Sequence, residues 1–494
     1  MGLLIEREEF DEADRARFAA RLHDGLTALA ALLDRPGFGA GPSSLGAELE
    51  LFLIDAAGRG LPLNRAVLAA TLDPRVTVEV DRFNLEINTR PAPLRGRPFS
   101  ALGGELASAL AEVGRAAGTH GGRVTTIGIL PTLRAADLEA GALTDLPRFR
   151  ALSAGIRRLR RAPFTIAIDG EDPLTFACDD VTLEGANTSL QVHLRTPPAD
   201  FARTYNAAQI ATAPVLAAAG NSPLFLGHRL WEETRVALFR QATDDRGDPS
   251  AEWRPARVSF GHGWVRHGAL ELFAESVLQH PPLLPVVGPE DPVACVRAGG
   301  VPELAELRLH QGTVWRWNRA VYDPGSGGHL RIELRALPAG PSIPDMVANA
   351  AFLVGLTLAL APDAERLTAA LTFGQARRSF YAAARAGLDA EILWPADDAP
   401  SPRPVRAGDL VPRLLPQARA GLLTAGVDAA EIDPLLALIA ARVARGTTGA
   451  RWQLQTLADL ERTRPRDAAL AAMLERYVAA AASGAPVHGW PVGT

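Results

Sequence analysis

The 494-residue chain contains no lysine: all 51 of its basic residues are arginine. Chemistry that depends on a lysine amine is therefore closed to it, including the Walker-type phosphate loop, pyridoxal or aldolase Schiff bases, and the protein-kinase active site. Cysteine is almost as scarce. Cys178 and Cys295 lie far apart, form no metal or redox spacing, and leave no disulfide framework, which points to a cytoplasmic protein. Long apolar stretches are missing as well: the longest, residues 350–361, falls short of the roughly 18 residues a bilayer span needs. The opening MGLLIEREEF turns acidic too early for a signal peptide, and Glu6 breaks the myristoylation pattern. Nor is there an excess of positive charge. With 56 acidic residues the formal net charge is -5, so the chain offers no basic field for a polyanion. Small-molecule partners are expected, with neither nucleic acid nor membrane among them.

What is present is the ordinary balance of a globular protein, 47% hydrophobic and 22% charged, enough for a large core. Residues 8–33 carry apolar residues at helical spacing behind an acidic start. Similar patterns recur at 99–118, 200–219, 268–279 and 344–361. Between them, alternating segments predict strands at 45–55, 76–81, 84–89, 123–129, 164–168, 187–195, 312–321 and 329–337. Pro324-Gly325-Ser326-Gly327-Gly328 separates the last two and predicts an antiparallel hairpin. The expected fold class is α+β, with a largely antiparallel sheet flanked by helices. A Pro/Asp/Ala-rich stretch at 389–409 reads as a linker between a catalytic domain, 1–388, and a helical C-terminal subdomain, 410–494.

Residues two apart on a strand share a face at about 6.7 Å. By that rule Glu48 pairs with Glu50, Glu79 with Asp81, Glu86 with Asn84 and Asn88, Gln191 with His193, and Glu333 with Arg331 and Arg335. Solvated faces of antiparallel sheets produce polar rows too. These rows, however, are dominated by Glu, which strands disfavour. Such carboxylates repel unless cations lie between them, and hard divalent ions choose oxygen ligands. Arginines at one end suit two-pronged contacts to phosphate oxygens. Other candidates have plainer readings: Arg157 to Arg161 as a solvated helix end, His310, His329, Trp315, Trp231 and Trp317 as packing residues, and His262 as a loop histidine.

Five segments in order, Gly46-Ala-Glu-Leu-Glu50, Asn84-Leu-Glu-Ile-Asn-Thr89, Ser189-Leu-Gln-Val-His193, Gly220-Asn-Ser-Pro223 with Trp231-Glu-Glu-Thr-Arg235, and Arg331-Ile-Glu-Leu-Arg335, resemble the glutamate-cysteine ligases and related carboxylate-amine ligases of the glutamine synthetase superfamily. The resemblance covers roughly 45–360 and stops before 400. It implies a funnel of antiparallel strands holding Mg²⁺ or Mn²⁺ between ATP phosphates and a substrate carboxylate. On it, Glu48, Glu50, Glu86, His193 and Glu333 look like metal ligands, with Glu79 and Asp81 both eligible for one further place. Arg335, with Arg331, looks catalytic, contacting the transferred phosphoryl group, and Arg235, Asn221 and Gln191 look substrate-binding. The implied reaction is ATP-dependent joining of an amino-acid carboxylate, expected to be the side chain of L-glutamate, to an amine such as cysteine. A metal-dependent amide hydrolase and an inactive binding protein on the same fold are the other two readings.

Overall fold

Strand alternation and helix capping build the architecture from the predicted pieces. The computed structural model describes residues 5–247, 253–395 and 401–492. The first four residues of the stretch read for targeting, and 396–400 of the expected linker, lie outside the described residues. The first helix forms over Glu12–Leu33, started by Asp11, whose carboxylate accepts from the Asp14 amide while Asp14 accepts from the Asp11 amide.

The main sheet has eight strands, labelled here β1 (Ser44–Ile54), β2 (Val76–Val78), β3 (Asn84–Asn88), β4 (Ala92–Pro93), β5 (Arg123–Thr125), β6 (Leu190–Arg195), β7 (Asn318–Asp323) and β8 (His329–Leu334). Its order is β7-β8-β6-β1-β3-β2, antiparallel throughout, with β4 and β5 pairing the two ends of β1. The Pro324–Gly328 turn closes β7 onto β8 as predicted, pairing Asp323 with His329. β7 starts later than the sequence pattern suggested, because 312–317 run irregularly before Asn318, and β2 stops at Val78 rather than 81.

One sheet face is apolar: Leu49, Leu51, Leu85, Ile87, Val192, Leu194, Ile332 and Leu334 are buried. The helices Pro98–Thr119, Phe201–Ala219 and Ile343–Leu360 lie against the sheet strands. Each such side chain contributes about 1.5–3 kcal/mol of burial, so this face fixes the register that aims the alternate residues outward. The segment Ile343–Ala370 is apolar and long enough to cross a membrane by length and composition, but most of it is buried inside the protein.

The stretch expected to be a linker carries a hairpin, Glu391–Trp394 with Arg403–Arg406. The C-terminal helices are not set apart from the rest. Leu410, Val411, Leu414, Ala418, Leu422 and Ile439 belong to the same apolar core as the sheet. The helix Ala407–Thr424 crosses Ile343–Leu360 so tightly that a Cβ at Gly421 would strike the Gly355 carbonyl. A buried ion pair ties the next helix in: Arg442 donates to Asp345 at 2.7 Å and to Asn349 Oδ1 at 2.6 Å. Removing the guanidinium strands a carboxylate that has no exposed surface. Arg442→Ala is therefore expected to cost about 3–5 kcal/mol, seen as a lower midpoint in thermal unfolding, with part of the loss recovered by Asp345→Leu in the same chain. An unchanged midpoint refutes the coupling.

Candidate active site

The outward face of the sheet gathers most of the predicted residues. Register places Gly46 beside His193, Glu48 beside Gln191, Glu50 beside Glu86, and His193 beside Glu333. At the centre, Glu48, His193 and Glu333 offer ligand atoms within 4.8 Å of one another. His193 Nε2 lies 3.0 Å from Glu48 and 3.7 Å from Glu333, yet neither ring nitrogen has a hydrogen-bond partner. Two carboxylate oxygens around an orphaned imidazole nitrogen form a donor set that suits Mg²⁺ or Mn²⁺.

This half of the face is balanced in charge. Arg319 grips Glu333 with Nε at 2.5 Å and Nη2 at 2.9 Å, and Arg335 lies 3.2 Å from the same carboxylate. Burial pushes Glu333 up, but Arg319, Arg335 and His193 together hold it far below the usual carboxylate range. Burial also raises Glu48, and His193 followed by Arg335 outweighs it, leaving that group lowered. Arg335 in turn donates to the side-chain amide oxygen of Gln191, Oε1.

The other half is not balanced. Glu50 accepts from the Ser189 amide at 2.7 Å, the Ser189 hydroxyl at 3.0 Å and Gln191 Nε2 at 2.7 Å, yet burial still raises it. Glu86 accepts from Asn88 at 2.6 Å, and burial with the charges of Glu48 and Glu50 pushes it up to about 8. Glu79 shares a hydrogen bond with Glu86 and is raised well above its ordinary value by burial and by Glu86, Glu50 and Glu184. At Glu50 burial outweighs the opposing charges of Arg335 and Arg235, while at Glu79 and Glu86 burial and the neighbouring carboxylates act together.

Asp81 takes no part in that group. With β2 ended at Val78, the chain turns, and Asp81 is sealed against Gly185 with neither oxygen hydrogen-bonded; its acidic neighbours are Glu184 and Asp180. The shared-face rule failed there because it presumed a strand. Two expected substrate contacts are also enclosed. Asn221 has no exposed surface and donates to the Ala339 carbonyl and Tyr477 hydroxyl while accepting from Gln453. Arg235 is 2% exposed, with Nε on Glu233 at 2.6 Å and Nη2 on the Ala336 carbonyl at 2.8 Å. Both brace the backbone behind the face. Gln191 is buried but central, linking Glu50 to Arg335. Arg331 is half-buried at the rim, 3.2 Å from Asp323.

Two site residues escaped the sequence reading. Arg319 was recoverable, since counting back from the hairpin turn sets it opposite Glu333. Glu184, raised to about 8 by burial and then by Glu50, sits just after a short 3₁₀ turn and has no periodic signal. Arg157 and Arg158 lie in the last turn of the helix Pro147–Arg160, but Arg160 is buried and donates to the Pro163, Asp244 and Arg246 carbonyls, so the solvated reading fails there. The plainer readings of the other candidates match their placement: His310 meets the Ser276 carbonyl, His329 the Gly325 carbonyl, and Trp315 and Trp317 pack on Phe239. Trp231 donates to Asp169, and His262 lies 3.7 Å from Glu275.

Among solved structures, a glutamate-cysteine ligase from Francisella tularensis in complex with AMP shares the fold, at 12% identity over 89% of each chain with a TM-score of 0.55. A bifunctional glutathione synthetase from Pasteurella multocida aligns at 11% identity over 93% of this chain and 54% of its own, with a TM-score of 0.44. No curated protein matches the sequence. The profile of glutamate-cysteine ligase family 2 matches residues 44–469, extending well past the 45–360 window in which the motifs were recognised and taking in the helices that share the core. The chain therefore belongs to glutamate-cysteine ligase family 2 and is an ATP-dependent carboxylate-amine ligase.

Proposed function

We propose that the enzyme uses ATP to phosphorylate the side-chain carboxylate of L-glutamate and transfers the resulting acyl group to an amine, with cysteine as the first acceptor to test. In the first step a carboxylate oxygen attacks the γ-phosphorus and ADP leaves; in the second the amine attacks the acyl carbon and phosphate leaves. The observation that carries this reading is the position of Arg335, between the balanced triad of Glu48, His193 and Glu333 and the unbalanced group of Glu50, Glu79 and Glu86. Both carboxylate groups suit metal ions that neutralise phosphate charge, and Mg²⁺ or Mn²⁺ would supply that when bound. Arg335 is a charge held rigidly by Glu333 and Gln191, as electrostatic stabilisation of a transferring phosphoryl group requires. No lysine or nucleophilic cysteine enters the scheme.

Glu86→Gln and Glu333→Gln are expected to abolish amine-dependent ADP release while the circular dichroism spectrum is unchanged; near-normal turnover in both refutes the metal assignment. Hydroxylamine with ATP and glutamate should give a hydroxamate, and Arg335→Ala should lower kcat more than it raises KM for ATP. Amide hydrolysis without ATP would instead establish the hydrolase reading.

The raised carboxylates make a further prediction with a definite sign. Between the ordinary value of 4.5 and about 8, folded Glu86 and Glu184 keep protons that the unfolded chain has released. The stability these two groups contribute to the metal-free protein then falls as pH rises through that window, while the buried His280 and His310, held below their ordinary value of 6.5, add an opposite slope only in its lower part. Thermal midpoints measured from about pH 7 to 8.5 without divalent ions should decline, Mg²⁺ or Mn²⁺ should restore more at about pH 8 than at about pH 7, and Glu86→Gln should flatten the slope.

A further inference from the structure

The helices Ile343–Leu360 and Ala407–Thr424 meet at Gly355 and Gly421, where a Cβ on either glycine would strike backbone of the other helix. Close to that contact the residues between them are small, Ala359, Ala420 and Ala425, and the space they leave is not filled. The result is a cavity of about 740 Å³, within the range that takes one small organic molecule. Leu358, Leu360 and Leu367 give it an apolar wall, and Trp394 adds an aromatic one. Its charge is not balanced. Three ionisable side chains line it: Asp363 pairs with Arg366 at 3.4 Å, whereas the exposed Arg95 makes no ion pair and no side-chain hydrogen bond among the described residues. One positive charge is thus left over at the edge of an apolar space.

The cavity also shares a wall with the candidate active site. Ser43, Pro93 and Arg95 line the cavity, while Ser44 and Pro91 line a small crevice beside Glu48 and His193. Ser44 pairs with Pro93 in the ladder between β1 and β4, so one short piece of chain borders both spaces. Within that piece the rings of Pro91 and Pro93 fix φ, which leaves it little freedom to bend between its two ends. At the far end the Pro91 Cα would lie 3.8 Å from a Cβ placed on Gly46, the residue that pairs with His193.

We propose that this cavity is an effector site for an organic monoanion with an aromatic body, and, resting on the ligase reading above, that its occupation is felt at the triad through β4. The ring system would lie against Trp394 and the leucines, and the anionic group would reach the Arg95 guanidinium, whose planar donors suit a carboxylate or sulfonate. A nucleotide fits this space poorly, because its several negative charges would meet one unmatched cation. A wholly apolar ligand leaves that cation unused. A ligand that holds Pro93 and Arg95 restrains Pro91 with them, and through it the wall beside His193.

The test is titration of the full-length protein with 8-anilinonaphthalene-1-sulfonate and with N-phenyl-1-naphthylamine, which has the same rings and no charge, each followed by probe fluorescence. The sulfonate should bind more tightly than the neutral probe. Arg95→Ala should weaken the sulfonate about tenfold, the lower end for a hydrogen bond to a charged group, and leave the neutral probe unchanged. Ala420→Phe, which fills the cavity from an exposed helix position, should weaken both. Bound sulfonate should shift the affinity for ADP with Mg²⁺ about fivefold, the lower end of coupling between two sites, and should lose that effect in Ala420→Phe. Equal affinity for the two probes, or sulfonate binding that survives both variants, overturns the site. Sulfonate bound in the cavity with ADP affinity unmoved overturns the coupling through β4. Failure of the wild-type protein to bind ADP overturns the ligase reading and the coupling with it, while the probe titrations still decide the cavity.

Discussion

Mutual repulsion among carboxylates on one sheet face is the interaction to which the rest of the structure responds. Glu48, Glu50, Glu86 and Glu333 are forced into proximity by strand register, and register is held by the apolar residues between them, which face the other way. A slip of one residue in any strand would put leucines on the site and glutamates in the core. The hydrophobic face thus supplies the energy that keeps the acidic face assembled. Burial of Leu49, Leu51, Leu85, Ile87, Val192, Leu194, Ile332 and Leu334, at about 1.5–3 kcal/mol each, opposes the repulsion of the like charges on the other side.

The relief of that repulsion is uneven, and the unevenness organises the chemistry. Around Glu333 three cationic or potentially cationic groups converge, so this carboxylate stays ionised whether or not a metal is bound. Around Glu86 there is no such support, and the site takes up protons instead. The metal binding proposed above would meet ligands already ionised at the first region and raised carboxylates at the second. The two regions therefore differ in how their charge depends on pH, although one sheet face builds both.

Rigidity behind the face comes from groups that the motifs made conspicuous for a different reason. Asn221 joins the Ala339 carbonyl, Tyr477 and Gln453 in one buried joint, and Arg235 fastens Glu233 to the backbone just past β8. These bonds set where Arg335 stands, one residue before Ala336. Residue type and order along the chain announced that Asn221 and Arg235 matter, but pointed to substrate contact; only packing shows that their atoms are enclosed. Alternation carried the reading where strands are regular: Glu48, Glu50, Glu86, His193 and Glu333 all fall on the predicted face, and the Pro324–Gly328 turn set the last pair of strands. It failed at Asp81, where the strand had already ended, and it was silent at Glu184, which a 3₁₀ turn delivers to the site. The C-terminal helices misled for a related reason: a Pro-rich stretch looks like a boundary in sequence, while the glycine contact of Gly355 with Gly421 that docks them is a property of two distant segments.

The absence of lysine acquires its meaning at the site. The cations Arg319, Arg331 and Arg335 on the working face are all guanidiniums, a group that binds its proton more tightly than an ammonium does. A lysine buried beside Glu333 could surrender its proton to the carboxylate and neutralise the pair, whereas an arginine cannot. The positive charges of the site are in this way constants. Arginine also supplies direction that an ammonium lacks: Arg319 meets Glu333 with two nitrogens at once, and Arg335 divides its donors between Glu333 and Gln191. A face crowded with carboxylates needs cations that are held in orientation as well as in place, because one that swung toward Glu50 or Glu86 would leave Glu333 unpaired in the interior.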